Sequence, residues 1–88
     1  MSIIYRFQIR LNAVERGREA EVMRLLQRSN PGTGTLKWRD VMEQLEEASQ
    51  VVFNTNSITD AKRMLSALHQ IGGRADMVDL IQDKTSQD

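Results

Sequence analysis

The chain has 88 residues, 40% of them hydrophobic and 27% charged, with 12 Lys and Arg set against 12 Asp and Glu. That length makes one domain with a single core layer and little room for a deep substrate cavity. The balanced charge gives no pull toward nucleic acid or acidic lipid, and the absence of cysteine excludes disulfides, thiolate nucleophiles and sulfur-ligated metals.

The first residues alternate. Ile3, Tyr5, Phe7, Ile9 and Leu11 fall on one face, with Ile4, Arg6, Gln8 and Arg10 on the other. This spacing predicts a strand with one wet face, and its length places it in the middle of the sheet. The alternating polar residues also break the apolar run of about 7–15 residues that a signal peptide needs. No stretch approaches the roughly 18 apolar residues of a membrane helix. The expectation is a cytoplasmic protein with no membrane partner.

Helical spacing follows from about Glu15 to Ser29, with Val22, Leu25 and Leu26 as the apolar stripe. Asn30-Pro31-Gly32-Thr33-Gly34 stops that helix, because proline lacks a donor and glycine accepts left-handed dihedrals. A second helix is predicted from Trp38, Val41, Leu45 and Ala48. Val51-Val52-Phe53 is a short strand ended by Asn54-Thr55-Asn56, and Ser57-Ile58-Thr59-Asp60 resembles a capping box with Asp in place of Glu. Ala61, Met64, Leu65, Leu68 and Ile71 make a third amphipathic helix, closed by Gly72-Gly73. Residues from Arg74 to Ile81 form the last strand.

The predicted fold is an α+β two-layer sandwich in the order β-α-α-β-α-β, a three-stranded sheet with three helices on one face. Residues 1–81 form its single domain, and the polar residues 82–88 form a flexible tail. Its expected core is Phe7, Ile9, Val22, Leu26, Val41, Leu45, Phe53, Met64 and Leu68.

Ser57, Asp60-Ala61, Met64, Ala67-Leu68, Ile71-Gly72-Gly73 and Ala75 together resemble the last helix and strand of the C-terminal domain of the bacterial ribosomal stalk protein. Trp38, Val41 and Leu45 fall where that family carries apolar residues, and Gly32-Thr33-Gly34 takes the place of its Gly-rich helix connection. The resemblance covers residues from about Ile3 to Leu80. It implies the stalk-domain fold, shared with a Clp protease adaptor, and an accessory, protein-binding role without enzymatic activity. The family's factor-binding face uses Lys and Arg beside small apolar residues on its first two helices. Arg24 matches a basic position there and Met23 an apolar one, whereas the family's central lysine falls at Met42. The stalk protein's dimerisation domain and hinge have no counterpart in the chain, and neither has the adaptor's Asn-Asp-Asp motif.

Catalytic readings fare poorly. Gly32-Thr33-Gly34-Thr35-Leu36-Lys37 lacks the glycine spacing and the final hydroxyl of a phosphate loop, so a plain helix connection is preferred. His69 is the only histidine, which excludes a His-metal cluster or a triad. Glu43, Glu46 and Glu47 read as a solvated face. Trp38 could anchor a partner, but its spacing with Val41 and Leu45 favours the core. No cofactor, metal or small-molecule substrate is expected.

One feature breaks a local rule. Lys37 and Arg39 open the second helix while Glu46 and Glu47 lie near its end, the reverse of what the helix dipole favours. Arg24 and Arg28 approach the same corner from the first helix. The expected binding surface is therefore Met23, Arg24, Arg28, Lys37 and Arg39, docking an acidic protein partner. Two alternatives stand beside it. One is an RNA- or ribosome-associated module using Arg6 and Arg10 on the open sheet, and the other a structural homo-oligomer joined through that sheet.

Overall fold

The computed structural model describes residues 5–80. Ile3 and Ile4 of the expected first strand and Ile81 of the expected last strand lie outside the described residues, as does the expected tail 82–88. Within them the order is β1 (Phe7–Val14), α1 (Glu19–Ser29), α2 (Thr35–Gln44), β2 (Gln50–Thr55), α3 (Ile58–Gln70) and β3 (Gly73–Asp79). The strands run β2-β1-β3 across one sheet, and β1 is antiparallel to both neighbours. The α+β order and layout are those expected, with the first strand at the centre.

Alternation explains that central place. Phe7, Ile9 and Leu11 point into the helix layer and are buried, Ile9 and Leu11 completely. Val22 and Leu26 of α1, Trp38 and Val41 of α2, and Ala61, Met64 and Leu68 of α3 close over them. Ala75 on β3 completes the layer. Leu45, expected in the deep core, is only partly buried because α2 ends at Gln44 and Leu45 caps it. Ala48, which continued the helical spacing, is exposed beyond that end.

The second strand departs from simple alternation. Phe53 faces Ile9 and Val51 faces Arg10, so Val52 is the extra residue of a β-bulge. The bulge turns Val52 as well as Phe53 toward the helices: Val52 is buried at 3% and Phe53 packs partly buried beside it. Val51 is left on the open face at 43% exposure. Asn30, just past α1, fixes this arrangement. Its Nδ2 donates to Leu26 O at 2.8 Å and to Val52 O at 3.1 Å, tying the helix end to the bulge.

Turn and cap contacts set the helix starts. Glu15 to Arg18 form a turn rather than the first helical residues, with Gly17 at φ +90° and Glu15 N donating to Gly72 O at 2.8 Å. Helix α1 therefore begins at Glu19, where Glu19 and Glu21 suit the positive end of the dipole. At α3, Ser57 Oγ accepts from Asp60 N at 3.2 Å, the first half of the expected capping box. The Thr55 hydroxyl fills the other half, accepting from Ser57 N at 3.1 Å. Gly72, at φ +90°, closes α3 where a Cβ would come within 3.0 Å of Arg18 Cγ.

Candidate functional site

Helix α1 has two flanks beside its buried stripe. Ala20, Met23 and Gln27 look toward α2, and with Arg24, Trp38 and Arg39 they line a concavity of about 240 Å³. Leu25 and Arg28 look toward α3. With Ser29, Phe53, Asp60, Arg63, Met64 and Ala67 they line a larger recess of about 400 Å³. Arg24 stands between the two, since it also borders a 280 Å³ concavity shared with Leu25, Arg28 and Ala67.

The expected corner is thus divided by α1. Met23, Arg24 and Arg39 come together around the Trp38 ring, and the Lys37 ammonium lies 5.8 Å from that ring's centroid. Arg28 is turned to the other flank, where Arg63 of α3 faces it across the recess. Arg63 was missed by the sequence reading. Its spacing with Asp60, Met64 and Ala67 sets these residues along one edge of α3, but only tertiary packing decides that this edge meets α1. None of Arg24, Arg28, Lys37, Arg39 and Arg63 forms an ion pair among the described residues. Lys37 sits in the first turn of α2, which holds no acidic residue, so its charge opposes the helix dipole.

The Trp38 ring is core, at 3% exposure. Its Nε1 is buried and has no hydrogen-bond acceptor among the described residues. The indole is thus a packing element, and its edge lines the concavity bordered by Arg24 and Arg39.

The open face of the sheet is laced together. Arg10 Nε donates to Gln8 Oε1 at 2.9 Å, and Asp76 lies opposite Arg10 in the register. Asn12 Nδ2 donates to Asp76 Oδ2 at 2.7 Å, while Ser49 Oγ donates to Asn12 Oδ1 at 2.5 Å. Arg6 is drawn to Asp79 at 3.3 Å and lies 5.0 Å from the Phe7 ring centroid. Both arginines of the RNA alternative are therefore engaged, and Phe7 and Phe53 lie on the helix side, away from any base that could stack.

A further concavity, about 680 Å³, is lined by Val14, Glu15, His69, Gly72 and Arg74. His69 Nε2 lies 3.1 Å from Ala75 O, a geometry in which the ring N–H donates and fixes α3 to β3. No nucleophile and base meet there. Among the described residues no group of three or more His, Asp or Glu is placed to hold a metal ion. No helix among them is long and apolar enough to cross a membrane. No protein-family model matches the chain, and no curated protein matches it.

Proposed function

We propose that the chain is a non-enzymatic, cytoplasmic binding module that docks an acidic protein partner on the α1–α2 corner. One observation carries the reading: Arg24 and Arg39, free of ion pairs among the described residues, flank a concavity that Met23 and Trp38 line. Unpaired guanidinium groups over an apolar floor suit an interface in which the buried contact is apolar and the rim charged. Arginine suits such a rim, since its planar fork meets a carboxylate through two parallel hydrogen bonds. Lys37 adds charge beside the same ring. Arg28, on the opposite flank of α1, contributes to the field and not to the contact.

The resemblance to the stalk C-terminal domain points to the same two helices, and Met42 in place of the family's lysine argues for a different partner. The open sheet is the weaker surface for RNA, because its arginines are already bonded and a carboxylate lies among them. Affinity capture from the native host, read by mass spectrometry, tests the reading. The captured protein should present an acidic surface and its binding should weaken with salt. Recovery of RNA as the retained species, with a steep salt slope from counterion release, would replace the protein-binding reading.

A further inference from the structure

We infer that the groove between α1 and α3 is a second docking site, separate from the α1–α2 corner, and that its occupant is an acidic peptide segment anchored by one large apolar side chain. Its floor is Leu25, Phe53, Met64 and Ala67. Ala67 makes the depth: a small side chain faces α1 where a larger one would fill the space. Phe53, next to the bulge at Val52 and only partly buried, lines the recess as well. At about 400 Å³ the recess is at the low end of ligand pockets, which span about 300–1,000 Å³. It suits a single leucine- or phenylalanine-sized anchor better than a whole ligand.

Charge identifies the occupant. Arg28 rises from α1 and Arg63 from α3, so two guanidinium groups flank the same apolar floor. Arg24 extends the positive rim along the adjoining concavity, which shares Leu25, Arg28 and Ala67 with the recess. Against them stand Asp60, and Glu21 whose carboxylate is already taken by Arg18 at 2.9 Å. Three arginines without ion pairs among the described residues therefore face one unneutralised carboxylate. An extended or helical segment with a central apolar residue and carboxylates on both sides would satisfy floor and rim together.

The site does not depend on the corner's partner, and the test keeps the two apart. The probes are three short synthetic peptides: one Asp- and Glu-rich with a single central Phe, the same peptide with Phe→Ala, and a Lys-rich version keeping the Phe. Backbone amide shifts of the whole chain are followed during titration. The acidic Phe peptide should move the amides of Leu25, Arg28, Arg63, Met64 and Ala67. Replacing its Phe or inverting its charge should weaken binding at least about tenfold. Ala67→Phe, which fills the groove, should abolish the shifts. Arg28→Glu with Arg63→Glu, both exposed, should do the same should the first variant fail to fold, and Arg39→Glu should leave the affinity within about twofold. Shifts centred on the corner, equal binding by the Phe→Ala peptide, or no shift at about 1 mM peptide would each overturn the assignment. So would groove shifts that depend on protein concentration alone, which would make a second copy of the chain the occupant.

Discussion

Asn30 carries more of the fold than its position after a helix suggests. Its amide closes the C-terminal end of α1 through Leu26 O and holds the carbonyl of Val52, the residue that bulges from β2. Asn30→Ala removes both hydrogen bonds from a partly buried site. At about 0.5–1.5 kcal/mol for each bond, the expected loss is about 1–3 kcal/mol. A domain of this size has roughly 4–13 kcal/mol of stability in all, so the loss is large. Asn30→Asp keeps the shape but sets carboxylate oxygens against two carbonyl oxygens, and should cost at least as much. Urea unfolding followed by far-ultraviolet circular dichroism reads both variants. With m near 1–3 kcal/mol/M, midpoints should fall by about 0.3–3 M while m stays constant. Amide exchange should accelerate in Gln50–Thr55 before it does in β3. Midpoints unchanged in both variants would refute the idea that this side chain ties the helix to the bulge.

Leu68 is fully buried on the inner face of α3, and Leu68→Ala should cost about 2–5 kcal/mol, measured by the same unfolding experiment. Gly72→Ala and Gly17→Ala both force a left-handed residue, a cost of roughly 1–2 kcal/mol. Only at Gly72 would the new Cβ also meet Arg18 and Glu15, so Gly72→Ala should melt measurably lower than Gly17→Ala. Lys37→Glu places an acid in the first turn of α2 and should hold or raise stability by about 0.3–1 kcal/mol at low salt, while weakening partner capture. A melting temperature that falls would mean that the Lys37 stem packs on Trp38 more than its charge costs.

Much of the fold was readable because the relevant signals are local. The alternation of Phe7, Ile9 and Leu11 and the stripes Val22–Leu26 and Met64–Leu68 need no partner to be recognised. What escaped depends on contacts distant in sequence. Val52 rather than Phe53 is the deepest residue of β2 because pairing with β1 inserts a bulge, and nothing in Val51-Val52-Phe53 marks which residue is extra. By sequence alone Glu15 to Arg18 tolerate a helix, whereas the bond of Glu15 N to Gly72 O holds them in a turn. The same limit applies to the candidate site. Met23, Arg24 and Arg39 could be set near one another from spacing and the short 30–34 connection. That Arg28 turns from them to face Arg63 follows from how α1 lies on α3, which neither helix encodes alone.

Titration calorimetry of the captured partner against the chain and two charge-reversed variants tests the docking surface most directly. Arg24→Glu with Arg39→Glu should weaken binding by at least about tenfold without lowering the melting temperature, since both side chains are exposed. Arg6→Glu with Arg10→Glu should leave the affinity unchanged. Binding lost in the second variant and kept in the first would contradict the corner and place the partner on the open sheet.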